Sequence, residues 1–210
     1  MTVPALVTAP GEDPREFAQI LGDLGPSPTI LNSESDLPSN AGGLLVTGES
    51  VFGSDSEVPP AALRTAIEAD IPVLGVGWGM HALNVCMGGK IPIRLSDAVI
   101  TEPRPRRGGK VVELGNMRTF LTLGGKLAAT IGAGGPVSTT GAGAFAIRDA
   151  ERSPSLMASA YDMGTGAIEA IELPGNHWVM GVIWPLNRID LLPDRFDNIM
   201  AAFVERSTGG

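Results

Sequence analysis

The sequence predicts an α/β protein with a mixed, mainly parallel central sheet flanked by helices. In the first half of the chain, short apolar segments typical of buried strands alternate with helix-like segments, which is the pattern of a parallel sheet. In the second half, strand-like segments follow one another more closely, which favours antiparallel pairing. The chain has 210 residues and is 43% hydrophobic, which is enough for one buried core. We therefore expect a single domain over residues 1–210.

Apolar spacing defines the expected elements of the first half. The segment 13–24 places Phe17, Ile20 and Leu21 on one helical face, and Gly88 with Gly89 ends the last helix. In chain order we expect the strand Val3–Val7, the helix Asp13–Leu24, the strands Thr29–Leu31 and Gly43–Val46, a helix from Pro59 to Ala69, the strand Pro72–Val76 and the helix Met80–Met87.

The second half is expected to end in a helix over Pro193–Arg206. This segment places Phe196, Ile199, Met200 and Phe203 at the spacing of a core-facing stripe. Before it we expect the strands Ile91–Leu95 and Lys110–Leu114, a short helix over Gly124–Ile131, and the strands Val137–Thr140, Leu156–Tyr161, Ala167–Leu173 and Val179–Trp184.

Charge and cysteine content limit the possible functions. The net charge of -8 argues against binding to nucleic acid or to an anionic membrane. The basic run Arg104, Arg106, Arg107 and Lys110 is either a solvated hairpin tip or a docking site for an acidic partner or phosphate. The lone Cys86 fits a reducing compartment. There is neither a signal-peptide pattern nor an apolar run of roughly 20 residues, so we expect a cytoplasmic protein.

The most informative segment is the turn between the strand ending at Val76 and the next helix. Gly75, Gly77 and Gly79 allow the chain to turn sharply there. A strand, tight turn and helix of this kind hold one residue at the carboxyl edge of the sheet, where backbone N–H groups point at an anion. In a nucleophile elbow that residue carries a thiol or hydroxyl. Here it is Gly77.

No cofactor and no metal are expected. Position 80 is Met, so the three glycines do not match the G-x-G-x-x-G fingerprint of dinucleotide-binding proteins. The sequence has no clustered Cys and His set for zinc and no Walker lysine loop for phosphates.

Three segments extend the elbow into a larger pattern. They are the glycine-rich strand end Gly43–Glu49, the elbow and helix at Pro72–Leu83, and the strand pair Ala167–Pro174 and Val179–Pro185. Together they resemble the class I glutamine amidotransferase-like superfamily, nearest to the γ-glutamyl hydrolases of the peptidase C26 type. The resemblance implies a Cys nucleophile, a His that activates it and a Glu that orients the His. Those positions hold Gly77, Trp184 and Leu186 in this sequence.

Neither Cys86 nor His177 is expected to restore this triad. Cys86 lies nine residues beyond Gly77, about 13 Å along the helix and on its opposite face, so we expect it in the core. His177 precedes Trp184 by seven residues, roughly 23 Å along the strand, so we expect it on a surface loop. His81 corresponds to the family's Gln after the elbow, and either contacts a ligand or bonds a neighbouring carbonyl.

A ligand pocket is still expected above the elbow, lined by Thr47, Gly48, Glu49, Trp78 and His81. Thr47 and Gly48 are expected to keep the backbone donors of the family's oxyanion hole. Glu49 is either a solvated carboxylate or a group that binds a cation or amine. Trp78 and Trp184 either plug the vacated space or form an aromatic wall for a flat or cationic ligand.

The loss of all three triad residues favours a catalytically inactive protein, a pseudoenzyme that serves as a binding, scaffolding or regulatory subunit. Because glutaminase domains of the family commonly pair, we expect a synthase-type protein partner or a homodimer, and a small amide or amino-acid-like compound as ligand. The alternative is an enzyme of altered, non-cysteine mechanism. It would hydrolyse or transfer a γ-glutamyl or related amide, with His81 and Glu49 acting on an activated water.

Overall fold

The computed structural model describes residues 2–53, 57–95, 117–139, 141 and 143–209. Its strands are β1 (Val3–Thr8), β2 (Thr29–Leu31), β3 (Ala41–Gly48), β4 (Val73–Gly77), β5 (Ile93–Arg94), β6 (Met117–Leu121), β7 (Gly135–Thr139), β8 (Phe145–Ala146), β9 (Met157–Asp162), β10 (Ile168–Glu172) and β11 (Val179–Val182). Its α-helices are α1 (Arg15–Leu24), α2 (Ala61–Glu68), α3 (Trp78–Cys86), α4 (Lys126–Ile131) and α5 (Asn198–Ser207).

Nine of the described strands form one mixed sheet in the order β2-β1-β3-β4-β11-β10-β9-β6-β7. The strands from β2 to β11 are parallel, and those from β11 to β7 pair antiparallel. This confirms the predicted sheet. The register pairs Thr8 with Thr47 and Gly48 with Gly77, so the carboxyl ends of β1, β3 and β4 meet at one edge. That edge carries the elbow.

Two hydrophobic cores cover the two faces of the sheet. Successive strand residues alternate between them, as the pleat requires: Leu44 and Val46 face the first core, and Leu45 faces the second. Helices α2 and α3 pack in the first core, and α1, α4 and α5 in the second. None of the described helices is long and apolar enough to cross a membrane.

The helices begin at other residues than predicted, and local backbone features account for the differences in three of them. The last helix begins at Asn198 rather than Pro193, because Arg195 has a φ of 73° that an α-helix cannot continue through. Helix α1 begins at Arg15, whose N–H donates to the Asp13 side chain at 3.0 Å. The elbow helix begins at Trp78 instead of Met80, directly after Gly77.

Strand prediction is weakest in the middle of the chain. The strand expected over Ile91–Leu95 is reduced to β5, a two-residue strand paired with β8. Strands β6 and β8 were not predicted, although β6 joins β9 to β7 in the main sheet. The predicted strand Lys110–Leu114 and the basic run from Arg104 to Lys110 lie outside the described residues.

Candidate functional site

A cleft of about 410 Å³ opens at the carboxyl edge of the parallel strands, above Gly77. Sheets of this class bind ligands at this edge. The ends of β3, β4 and β11 form the cleft together with the segment before β8. All five predicted pocket residues line it, together with two of the positions that the resemblance assigns to the triad: Thr47, Gly48, Glu49, Trp78, His81, Gly77 and Trp184.

The elbow turn leaves no room for a side chain at its apex. Gly77 has a φ of 57° and a ψ of −113°, a conformation that strains any residue with a Cβ. A Cβ at this position would lie 2.3 Å from the carbonyl oxygen of Gly48. The first turn of α3 lies even closer to β3, because a Cβ at Gly79 would lie 1.8 Å from the carbonyl oxygen of Val46. The backbone of β3 therefore occupies the space that a nucleophile would need.

Trp78 is buried in the first core. Its indole N–H donates to Glu57 Oε1 at 2.6 Å, and its ring centroid lies 5.7 Å from that of Phe52. Glu57 also accepts the N–H of Gly53 at 2.9 Å. These contacts hold the indole to one side of the cleft.

Trp184 is buried in the second core, on the opposite face of the sheet. Its indole N–H donates to Glu169 Oε2 at 2.8 Å, and its ring centroid lies 4.8 Å from that of Phe196. The two indoles thus do not plug the space above Gly77, which stays open as the cleft between them. Leu186 is buried in the same core as Trp184 and is not among the cleft-lining residues described.

Glu169 is a buried carboxyl that sequence reasoning missed. The hydroxyls of Thr119 and Thr139 lie 2.6 and 2.9 Å from the same Oε2 atom that accepts the Trp184 indole. Its Oε1 atom has no partner among the described residues. Burial raises the pKa of Glu169, despite the hydrogen bonds that oppose this. The available signal was a carboxylate inside the otherwise apolar segment Ile168–Ile171.

His81 lies in the first turn of α3 and faces the cleft. It is 3% exposed, and neither ring nitrogen has a hydrogen-bond partner among the described residues. The alternative in which His81 bonds a neighbouring carbonyl is therefore not found. Burial lowers its pKa to about 4, so the imidazole is neutral at pH 7. A neutral imidazole has one donor and one acceptor.

The backbone donors after β3 are displaced from their predicted positions. Strand β3 runs through Thr47 to Gly48, and the N–H groups that hold an anion belong to the next two residues, Glu49 and Ser50. The anion is the carboxylate of Glu12, which follows β1. The Glu49 side chain is exposed, as one alternative predicted. Sequence reasoning missed Glu12 and Ser50.

Cys86 and His177 take no part in the cleft, as predicted. Cys86 is buried in the first core, and this burial raises the pKa of its thiol. His177 is exposed and its Nδ1 contacts Asp70, which precedes β4 at the opposite edge of the sheet. Among the described residues, no group of three or more His, Cys, Asp or Glu could hold a metal ion.

Comparison with known proteins supports the same family. Residues 56–185 match the family model of peptidase C26. Over 150 residues the chain is 32% identical to a Mycobacterium tuberculosis (strain ATCC 25618 / H37Rv) protein named putative glutamine amidotransferase. The match covers 71% of this chain and 44% of the relative, so the chain matches less than half the length of that curated protein.

Solved structures share the fold. The glutaminase domain of Trypanosoma brucei CTPS with bound acivicin superposes with a TM-score of 0.64 at 16% identity, covering 99% of this chain and 94% of that one. A Thermoplasma acidophilum protein named as a putative GMP synthase subunit superposes with a TM-score of 0.62 at 12% identity, covering 97% and 94%. With the family match over 56–185, this establishes that the chain belongs to the peptidase C26 family and has the class I glutamine amidotransferase fold.

Proposed function

We propose that this protein is a catalytically silent member of its family that binds a small ligand and serves as a regulatory or scaffolding subunit. One observation carries the proposal: the elbow residue is Gly77, and the Gly48 carbonyl oxygen lies 2.3 Å from where its Cβ would be. A nucleophile at position 77 would require the end of β3 to shift. The loss of the thiol is thus built into the backbone packing around the elbow.

The other two triad positions support the same proposal. The indole of Trp184 has one polar group, an N–H that can donate but cannot accept a proton, and Glu169 already accepts it. Leu186 is apolar and buried. Neither side chain can act as a general base or orient one.

The altered-mechanism alternative is weaker. General bases work best when their pKa lies near the working pH, whereas burial lowers the pKa of His81 to about 4. His81 would therefore take a proton from water poorly at neutral pH. Glu49 is an exposed carboxylate, and its backbone N–H is held by Glu12.

The open cleft supports a retained ligand. Its volume of about 410 Å³ falls in the usual range of ligand pockets, about 300–1,000 Å³. Its walls are largely apolar, and His81 supplies an unpartnered buried polar group. Such a pocket suits a small amide or amino-acid-like compound.

The proposed partner rests on fold-level analogy. Of the solved relatives, one is named as a glutaminase domain of CTPS and another as a GMP synthase subunit. We propose a synthase-type protein partner for this chain, with a homodimer as the alternative. We also propose that residues 1–210 act as one domain in the cytoplasm.

Catalytic silence is tested by incubating the purified protein with glutamine and with γ-glutamyl amides. We expect no ammonia and no glutamate above the blank, while an active family member assayed in parallel releases both. A thiol-reactive glutamine analogue should leave the protein unlabelled, because the lone Cys86 is buried. Turnover that disappears in His81→Ala would establish the altered mechanism instead.

The scaffolding role is tested by sedimentation of the purified protein and by its co-purification from the native host. We expect either a stable complex with a synthase-type chain or a dimer. A protein that sediments as a monomer and retains no second chain would contradict the scaffolding part of the proposal.

A further inference from the structure

The loop after β3 holds an occupied anion site at the rim of the cleft. The N–H of Glu49 donates to Glu12 Oε2 at 2.9 Å, and the N–H and hydroxyl of Ser50 donate to Glu12 Oε1 at 2.8 and 2.7 Å. Successive backbone N–H groups of this kind form an anion-binding concavity. We propose that these three donors bind the carboxylate of a small ligand, and that Glu12 is a resting occupant which the ligand replaces.

Glu12 reaches the site from a separate loop, and its carboxylate is not needed to shape that loop. The turn after β1 is closed by the Glu12 N–H, which donates to the Ala9 carbonyl at 3.1 Å. The Thr8 hydroxyl donates to the Glu12 carbonyl at 3.3 Å. Both bonds use backbone groups of Glu12. Its side chain can therefore leave the site while the turn keeps its shape.

The donors belong to residues beside the cleft, and Glu12 itself is not among the cleft-lining residues described. Glu49 and Ser50 are exposed, and both line the cleft. Among the described residues, no Lys or Arg forms an ion pair with Glu12. Burial would raise the pKa of Glu12, but the hydrogen bonds from Ser50 and Glu49 outweigh it and hold the pKa below its usual value. Glu12 is thus ionised at neutral pH and mimics a ligand carboxylate.

The charges around the rim favour an anion of single charge. Glu49 and Glu16 carry carboxylates there. The hydrogen bond to Asp190 raises the pKa of the nearby Arg188, and the charges of Glu16 and Glu49 add smaller contributions. Arg188 is already paired with Asp190 at 3.2 Å. A doubly charged phosphate would meet net repulsion. The rest of the ligand would extend toward His81. This inference rests on the proposed ligand-binding function of the cleft.

The test uses acetate, glycine and inorganic phosphate as probes, titrated into isotope-labelled protein while the amide resonances of Glu49 and Ser50 are followed. In the wild type Glu12 competes for the site, so we expect weak acetate binding. Glu12→Ala removes the competitor and should lower the acetate Kd at least about tenfold, because the competent fraction of the protein rises. Glu205→Ala is the matched control, since it removes an exposed carboxylate of α5 that is not among the cleft-lining residues described and leaves Glu12 in place. Its acetate Kd should stay within about twofold of the wild type.

Two more variants keep the test decisive. Glu12→Gln has nearly the same shape and no charge, and it replaces Glu12→Ala if that variant does not fold. Adding Ser50→Ala to the Glu12→Ala background removes one donor and should raise the acetate Kd by about threefold to tenfold. Equal acetate affinity in the wild type and a folded Glu12 variant would overturn the proposal. So would the absence of a saturable shift at residues 49 and 50, or phosphate binding as tight as acetate.

This test is independent of the glutaminase assay. If acetate does not bind, the catalytic silence of the elbow is unaffected. If glutamine is turned over, the carboxylate site is unaffected. Glycine adds an ammonium group to the carboxylate that acetate provides. If glycine binds more tightly than acetate, the carboxylates of Glu49 and Glu16 contribute to recognition of the ligand.

Discussion

Replacing Gly77 by alanine tests whether the β3 backbone occupies the place of the missing nucleophile. The added Cβ would lie 2.3 Å from the Gly48 carbonyl oxygen, and real Cβ atoms essentially never come closer than 3.0 Å, so the contact must lengthen by about 0.7 Å. The backbone conformation, with φ at 57°, costs a residue other than glycine about 1–3 kcal/mol. Overpacking adds about 1–3 kcal/mol. We expect Gly77→Ala to lose about 2–6 kcal/mol of unfolding free energy.

Gly88→Ala is the matched control, because it separates backbone strain from steric overlap. Gly88 also has a positive φ, of 88°, but a Cβ there would meet no atom within 4 Å. It should therefore lose only the strain, about 1–3 kcal/mol. Urea unfolding followed by tryptophan fluorescence gives both free energies. For a chain of this size, each kcal/mol should also lower Tm by about 2–4 °C.

The reasoning is refuted if Gly77→Ala loses no more than Gly88→Ala, because the Gly48 carbonyl could then move aside freely. A second refutation would come from Gly77→Cys. If that variant is as stable as the wild type and its new thiol reacts with a glutamine analogue, the elbow still has room for a nucleophile.

Two further predictions concern the buried polar groups. Glu169→Leu leaves the Trp184 indole and one threonine hydroxyl without an acceptor, because only one of the Thr119 and Thr139 hydroxyls can donate to the other, and it should cost about 2–5 kcal/mol by urea unfolding. Glu169→Gln keeps an acceptor oxygen and should cost less than half as much; an equal loss would contradict the role of the carboxyl oxygen. The second prediction concerns pH. The folded state holds the pKa of His81 at about 4, below its usual 6.5. Between pH 4 and 6.5 the unfolded chain therefore binds more protons than the folded protein. The wild type should thus lose about 3 kcal/mol as pH falls from about 6.5 to 4. His81→Gln should remove this loss and His177→Gln, at an exposed site, should keep it; the same pH dependence in all three proteins would show that His81 is not the group responsible.

The local pattern of apolar residues was sufficient to predict the strands of the parallel half of the sheet. Strands such as β4 are continuous apolar runs because both of their faces are buried, and such runs are visible in sequence. Strand β6 was missed because Arg118 and Thr119 interrupt its apolar residues. Thr119 is nevertheless buried, because Thr139 on the neighbouring β7 and Glu169 on β10, beyond β9, satisfy its hydroxyl.

The residues of the cleft were predicted where they follow the ends of strands. Thr47, Gly48 and Gly77 meet because parallel strands end at a common edge, which strand order alone implies. The carboxylates that partner them were not predicted. Glu12 lies 37 residues before Glu49, and Glu169 lies 15 residues before Trp184. Such pairings depend on which loops and strands become neighbours, and a local pattern carries no information about that.

The sequence by itself determined the fold family, and it has Gly77, Trp184 and Leu186 at the positions that the resemblance assigns to the Cys, His and Glu of the triad. Only the tertiary structure decided that the Gly48 carbonyl closes the elbow while the cleft above it stays open, and that Glu12 occupies the backbone donors. The physical reason is distance. Residue identity is a property of one position. Steric overlap at Gly77 and occupancy of the backbone donors by Glu12 depend instead on separations of 2 to 3 Å between groups that only the folded chain brings together.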